Sequence, residues 1–472
     1  MTAYDCGDYF CEMVAQKGQP LLKKITKRLN EIEIAALRRR STDAERELFN
    51  LGITFTVYTD RDAIDRILPF DVIPRVLSKK DWAILDTGVK QRVAALNLFL
   101  HDIYHDEKIL KDGVVPEALI KTNKNYCAGM KGIDVPQGTY VHICGTDLVR
   151  DKKGIFRVLE DNARCPSGVS YVIENRHLMM RAFPDLADGI PVADVDGYGA
   201  RLAHALTKVA PGKMSHPTIA LLSPGVFNSA YFEHVFLARE MGVPLVEGQD
   251  LVVESNKVFM HTTSGKQRVD VIYRRIDDAF LDPKAFRKDS MLGVPGLFEA
   301  YRKGNVTLAN AVGAGVADDK AVYAYMPRII KYYLDEDPIL SNVQTNICGE
   351  EEGLKKTLAN LDKLVTKPVG EAGGYGVVVG PRSSKRELAK LRKLVEANPS
   401  NYISQPMIDL SVSPTLIGRA IEPRHVDLRP FALTGDSTWV LPGGLTRVAM
   451  KRGSLIVNSS QGGGSKDTWV LV

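Results

Sequence analysis

The chain has 472 residues, 44% hydrophobic and 25% charged, with 62 Lys+Arg against 57 Asp+Glu for a net charge of +5. At ~100–200 residues per domain this is an ordinary globular composition with room for two to four domains and a cleft between them. It excludes a disordered, collagen-like or disulfide-framework chain, and so mild a charge gives no reason to expect a nucleic-acid or membrane partner.

In chain order, Met1–Phe10 carries two Asp and no Lys or Arg, which is unlike a signal peptide. Residues 20–125 are expected to be mostly helical. Leu21, Leu22, Ile25, Leu29, Ile32 and Ile34 recur at three- and four-residue steps, and Val93, Leu96, Leu98, Phe99, Ile103 and Tyr104 do the same. Basic clusters there (Lys23-Lys24 with Lys27-Arg28, and Arg38-Arg39-Arg40) read as solvated helix faces. The longest apolar stretch, Val93 to Leu100, contains Asn97 and falls far short of the ~18–20 residues of a bilayer span.

The period then shortens to two. Tyr140–Cys144 and Phe156–Leu159 read as strands of a hairpin that turns within Asp151–Gly154. Glu160 and Asn162 share a face. A turn at Lys153-Gly154 sets Asp147 opposite Glu160, and a four-residue loop sets it opposite Val158. Either way Asp147 joins their face; only an odd-length loop separates them. Two carboxylates and an amide oxygen on one face suit Mg²⁺, and they equally suit a solvated hairpin. Cys165, beside Arg164 and before an expected helix at Ser167-Gly168-Val169, is either an activated thiol or a small buried one.

Residues 218–247 spell a βαβ unit. Ile219–Leu222 is followed by a Ser-Pro-Gly loop, a helical stretch from Ser229 to Met241, and Pro244–Glu247. Asn228 and Ser229 stand at the expected helix start, where backbone N–H groups can hold an anion. Further strands are expected at 269–273 and 306–309. From Leu364 strands alternate with one clear helix, Lys385–Ala397.

Within this last part, Lys363–Val377 is a strand followed by a loop with Gly370, Gly373, Gly374 and Gly376. It lacks the spacing of a P-loop and the following helix of a dinucleotide fingerprint. It fits a glycine flap that cradles phosphates between two strands, or a flexible hairpin. Tyr402–Ile408 is an apolar strand ending in Gln405-Pro406. Alternation puts His425, Asp427 and Arg429 on one face, and Pro442-Gly-Gly444 leads to Arg447. Arginines so placed can grip a phosphate or a developing oxyanion. No serine or cysteine beside His425 and Asp427 makes a hydrolase triad. Gln461–Lys466 reads as an anion nest or a flexible turn. The six cysteines are sparse, as in a reducing cytoplasm.

Together these pieces resemble an ATP-grasp enzyme with its parts permuted: the acid–x–Asn hairpin comes first and the lysines and flap about two hundred residues later. From about Asp60 to Val472 the chain resembles the circularly permuted ATP-grasp type 2 family. It is similar to glutathionylspermidine synthetases through stretches such as Leu159–Gly168 and His425–Phe431. The resemblance implies an α/β (α+β) permuted ATP-grasp fold, with a helical N-terminal region (1–125), a metal-binding hairpin of the core (126–185), a βαβ substrate domain (186–315) and nucleotide-binding subdomains (316–472). It implies ATP and Mg²⁺, with the metal held by Asp147, Glu160 and Asn162. The nucleotide would meet Lys320, Lys367, the flap residues Gly373, Gly374, Tyr375 and Gly376, and a hinge at Gln405 and Met407. Substrate would meet Asn228, Ser229 and His425, and Arg429 or Arg447 would stabilise a tetrahedral oxyanion. Two departures stand out. Gly145 occupies the place of an arginine two residues before the metal aspartate, which leaves Arg164 or Arg447 to substitute, and the accompanying amidase domain is absent. The implied activity is an ADP-forming ligation of a small-molecule or peptide carboxylate to an amine through an acyl phosphate. The alternatives are phosphotransfer without an amine acceptor, and a non-catalytic nucleotide-binding protein.

Overall fold

Val89, Val93, Leu96, Phe99, Leu100 and Ile103 lie along one stripe of the 26-residue helix Lys79–Tyr104 and are buried in the larger core. Ser78 starts this helix, its Oγ accepting the Asp81 N–H at 3.1 Å. The computed structural model describes residues 4–15, 22–58, 63–370, 376–454, 457 and 462–472, with Thr54–Tyr58, Ala63–Ile67 and Lys213 as backbone only. No helix among them is long and apolar enough to cross a membrane.

The N-terminal region expected to be helical also contributes a strand. Phe70–Leu77 is buried along its whole length and pairs in parallel with Gly464–Val470. With both faces covered, it shows no period-two alternation to read. The pairing settles Lys466. Its ammonium is buried on Asp71 and donates to the carbonyls of Ile73 (3.1 Å) and Pro414 (2.7 Å), so it belongs to a strand and is not the counter-charge of a surface nest.

The hairpin strands Ile143–Arg150 and Phe156–Asn162 lie inside a five-stranded sheet, flanked by Ser341–Asn342 and by Phe431–Thr434 with Thr438–Val440. Asp147 sits opposite Glu160 and Gly145 opposite Asn162, whereas Leu148 pairs with Val158 and Arg150 with Phe156. The connection therefore runs over Asp151–Ile155, an odd length that alone would turn the acids to opposite faces. Leu159 is the extra residue of a bulge, and it restores the parity. Asp151 holds the turn, its Oδ1 accepting the N–H groups of Lys153 (2.9 Å) and Ile155 (3.0 Å).

A second sheet is antiparallel, in the order Asn346–Ile347, Tyr402–Pro406, Leu364–Pro368 and Val378–Val379. A third is parallel, in the order Thr307–Ala309, Val271–Arg274, Ile219–Leu222 and Leu245–Val246, with the crossover helix Tyr231–Met241.

Asn310, just beyond this third sheet, ties it to the hairpin. Its Oδ1 accepts the N–H groups of His142 (2.7 Å) and Ile143 (2.8 Å), and its Nδ2 donates to the carbonyls of Ile143, Ala163 and Arg164. Asn310→Ala strands several of these buried groups, and we expect a loss of about 2–3 kcal/mol, read by urea denaturation. A loss below 1 kcal/mol, on the same general scale, would show that water replaces the amide freely.

Candidate functional site

A cavity of about 880 Å³ is lined by the acidic face of the hairpin, the Leu364–Pro368 strand and the C-terminal ends of the parallel strands. Asp147, Glu160 and Asn162 face it together with Lys320 and Lys367, although the hairpin and Lys367 are some two hundred residues apart in sequence.

At its acidic end, Asp147 is gripped by two arginines. Arg429 donates through Nε to Oδ1 and through Nη2 to Oδ2 (2.8 Å), and Arg447 Nη2 donates to Oδ2 at 2.7 Å. Arg447 also holds Asp427, at 2.9 Å from Nε and 2.5 Å from Nη2 to the same Oδ2. Burial opposes ionisation of Asp147, but the two guanidiniums win and hold its carboxyl well below the usual range. Burial pushes the Asp427 carboxyl up, against the pull of Arg447. Both arginines expected at the oxyanion thus spend their hydrogen bonds orienting the carboxylate expected on the metal. Asn162 Nδ2 donates to the Gly145 carbonyl at 3.0 Å and lies 3.5 Å from Asp147 Oδ1.

Facing these acids are the two lysines. Lys320 opens the Lys320–Ala324 helix, which Asp319 caps by accepting from Ala321 (2.8 Å) and Val322 (3.2 Å). Its Nζ stands 3.4 Å from Glu160 Oε2 with the side chain 12% exposed, so it is not the solvated helix lysine it resembles in sequence. Lys367 shares a strand face with Val365 and lines the cavity. Burial pushes its ammonium down to about 8, reinforced by Lys320 and opposed by Glu160 and Asp147. Gln405, the cross-strand partner of Val365, lines the cavity and donates to Thr345 Oγ1 at 2.9 Å, and Met407 follows it at the rim. Gly373, Gly374 and Tyr375 lie outside the described residues. Gly376 is described, at φ 70°, a backbone conformation that suits glycine.

Asn228 and Ser229 also line the cavity, but the helix begins two residues later at Tyr231. Asn228 caps its own turn, Oδ1 accepting from Ala230 at 2.9 Å. Two expectations change, and the open reading of Cys165 resolves to the buried thiol. Arg164 lines the cavity yet is paired with Asp318 (2.5 Å) and Asp277 (3.2 Å), which commits its guanidinium. His425 is absent from this cavity. It lines a separate recess, against Tyr9, with Nδ1 2.9 Å from the Leu410 carbonyl oxygen. The alternation itself holds, since Ala449 N–H donates to the His425 carbonyl, Asp427 N–H to the Arg447 carbonyl and Arg429 N–H to the Leu445 carbonyl in one continuous register. His425 lies four residues, about 13 Å of strand, from Arg429 and so falls beyond the cavity. Cys165 is half-buried in the cavity wall, and burial pushes its thiol up despite Arg274 and Arg275, so it is not an activated thiol.

Asp427, Glu233, His234 and Arg275 also line the cavity, and apart from Asp427 sequence reasoning passed over them. Glu233 accepts from Gly168 N–H (2.6 Å), Ser170 Oγ (2.9 Å) and Arg275 Nη2 (3.0 Å), joining the start of the Val169–Ala182 helix to the parallel sheet. A signal for Arg275 existed: it follows a strand of a parallel sheet, the end at which such sheets bind ligands.

The circularly permuted ATP-grasp type 2 family matches residues 74–449. An uncharacterized protein of Synechocystis is 51% identical over all of this chain and 98% of its own length, and one of Mycobacterium tuberculosis is 50% identical over 95% of this chain and 81% of its own. A Frankia casuarinae protein provisionally named glutamate–cysteine ligase 2-2 is 41% identical over 99% of this chain, which spans 54% of that protein. Among solved structures, a glutathione synthetase-like effector from Globodera pallida aligns with 92% of this chain and 96% of its own at TM-score 0.58 and 12% identity, a likeness of fold.

Proposed function

The chain belongs to the circularly permuted ATP-grasp type 2 family, and from that premise we propose that it is an ADP-forming ligase joining a carboxylate to an amine through an acyl phosphate. The observation that carries this reading is the single cavity in which the Asp147–Glu160–Asn162 face meets Lys320 and Lys367. A carboxylate attacking the γ-phosphate of ATP brings two anions together, and two lysines opposite an acidic ribbon are placed to offset that repulsion.

Asp147, Glu160 and Asn162 offer only hard oxygen donors, a set that fits Mg²⁺. Because the Asn162 amide nitrogen donates to the Gly145 carbonyl, its oxygen is left as the ligating atom, and the arginines hold the Asp147 carboxylate in one orientation. Mg²⁺, when bound, supplies charge neutralisation at the phosphates. Lys320 and Lys367 would lie along the triphosphate. The 373–376 loop would cover it and keep water from the acyl phosphate, and Gln405 and Met407 would border the base. The end formed by Asn228 and Ser229 would take the second substrate, with residues 186–315 as the substrate unit and 126–185 with 316–472 as the nucleotide core. A cytoplasmic setting fits six free cysteines. Glutamate and cysteine, from the name of the Frankia protein, are the first pair to supply.

Incubation with Mg-ATP, a panel of acids and hydroxylamine tests the reading. ADP release with a trapped hydroxamate is the expected result. A stable phosphorylated product would make the protein a phosphotransferase, and nucleotide binding without turnover would make it a binding protein. Glu160→Gln is expected to weaken Mg-dependent nucleotide binding about tenfold or more with little change in melting temperature. Intact affinity beside a large stability loss would assign Glu160 to structure.

A further inference from the structure

The bulge at Leu159 decides which hairpin residues face the cavity. Without the extra residue, Leu159 would oppose Asp147 and Glu160 would oppose Thr146. The Glu160 carboxylate would then turn to the far side of the sheet. Something must hold the bulged register, and a buried network behind the sheet grips the strand on both sides of it.

On one side is Asp161, which alternation turns away from Glu160 and Asn162. Its Oδ1 accepts from Thr146 Oγ1 (3.1 Å) and Arg92 Nε (3.2 Å), and its Oδ2 accepts from Arg92 Nη2 at 2.5 Å. Arg92, from the Lys79–Tyr104 helix, and Asp161 are 0% and 2% exposed. The third guanidinium nitrogen leads to the other side of the bulge. Arg92 Nη1 donates to Asn342 Oδ1 (2.8 Å), and Asn342 Nδ2 donates to the Tyr323 carbonyl (2.7 Å). The Tyr323 hydroxyl donates to the Val158 carbonyl at 2.5 Å and accepts the Val343 N–H at 2.9 Å.

Fold stability does not call for this arrangement, because apolar residues of similar volume commonly replace a buried ion pair at no loss. What the network supplies is register. With Val158 tied beside Leu148 and Asp161 tied to Thr146, three steps on one strand must match two on the other, so the extra residue cannot be lost. Tyr323 also belongs to the Lys320–Ala324 helix, so the same network sets the 3.4 Å spacing of Lys320 Nζ from Glu160 Oε2 from behind.

We propose that Arg92 is a positioning residue for the metal face. With Asp161, Asn342 and Tyr323 it locks the bulge, and the lock keeps Glu160 on the face of Asp147 and at its distance from Lys320. This role rests on the reading of that face as the Mg²⁺ and nucleotide site, and it adds how the chain keeps the face assembled.

Isothermal titration of the full chain with ADP, over a series of Mg²⁺ concentrations and in EDTA, separates metal-dependent from metal-independent binding. Arg92→Met/Asp161→Leu removes both charges and orphans neither. Tyr323→Phe removes only a hydroxyl, after which the Val343 N–H still donates to the Val158 carbonyl at 3.0 Å. Both should melt near wild type. The Mg²⁺ concentration for half-maximal ADP binding is expected to rise about tenfold or more in the double variant. In Tyr323→Phe the rise should be about threefold, the scale of one neutral hydrogen bond. ADP affinity in EDTA should stay within about twofold of wild type in both. Arg92→Lys keeps a charge on Asp161, but an ammonium lacks the fork that spans Asp161 and Asn342, and it should fall between wild type and the double variant. If the double variant does not fold, Tyr323→Phe and Arg92→Lys decide by the same readout. Folded variants with the wild-type Mg²⁺ requirement, or with equal losses in Mg²⁺ and in EDTA, would overturn the lock and leave the metal face standing. ADP binding indifferent to Mg²⁺ in the wild-type chain would overturn the metal face and the lock with it.

Discussion

Arg447→Met is expected to lower unfolding free energy by about 3–5 kcal/mol, the cost of breaking a buried ion pair by deleting one partner, and to abolish Mg-dependent nucleotide turnover. Arg447 is the only guanidinium within hydrogen-bond distance of the Asp427 carboxylate among the described residues, and Asp427 is 1% exposed. Without Arg447, Asp427 must stay charged and unpaired or take up a proton, whereas Asp147 keeps Arg429. The double variant Arg447→Met/Asp427→Asn removes the orphaned charge along with its partner and should recover much of the lost stability. It should not recover turnover, because Asp147 is then held by one arginine where two had fixed its orientation. Urea denaturation reads the first comparison and ADP release the second. A double variant no more stable than the single would show that packing of the arginine stem, and not the paired charge, accounts for the loss.

The chemistry of the site was more legible than its wiring. Asp147, Glu160 and Asn162 could be placed on one face because a strand has period two, but neither register weighed from the turn is the one adopted throughout. A bulge at Leu159 offsets an odd connection, and nothing in the sequence Val-Leu-Glu-Asp-Asn announces it. Lys367 and the flanking strand were readable from a β-branched run and its glycines. The buried strand Phe70–Leu77 was hidden because continuous burial erases alternation, and its partner lies at the opposite end of the chain. His425 missed the cavity through distance along the strand: alternation runs on to Asp427 and Arg429, but a shared face does not make residues about 13 Å apart share a site. Arg164, Arg429 and Arg447 were recognisable as cations for the site, yet their partners, Asp318, Asp277, Asp147 and Asp427, come from other elements that tertiary contact alone brings near. Glu233, His234 and Arg275 sit in apolar or strand-like sequence, and only the parallel pairing of two short strands makes them neighbours.

Lys367 gives the most discriminating result, because its one proton is expected to move stability and nucleotide affinity in opposite directions. Burial holds its ammonium at about 8 in the folded chain against 10.5 for a free lysine. Below pH 8 both folded and unfolded chains hold the proton, so neither quantity changes with pH on this account. Between the two values the unfolded chain keeps the proton and the folded chain releases it, so stability rises with pH across that window. Nucleotide affinity does the reverse: an uncharged amine no longer offsets the triphosphate, and affinity should fall up to tenfold per pH unit above 8. Lys367→Met removes the cation at every pH. It should weaken nucleotide binding about 100-fold at neutral pH, the scale of one buried charge-assisted contact, and flatten both profiles. Lys367→Arg keeps a charge that does not titrate in this range and should flatten the affinity profile while retaining more of the binding. Melting temperature and nucleotide titration at pH 7 and pH 9.5 on the three proteins supply the comparison. An affinity that falls with pH equally in wild type and Lys367→Met would place the titrating group elsewhere and remove Lys367 from the nucleotide site.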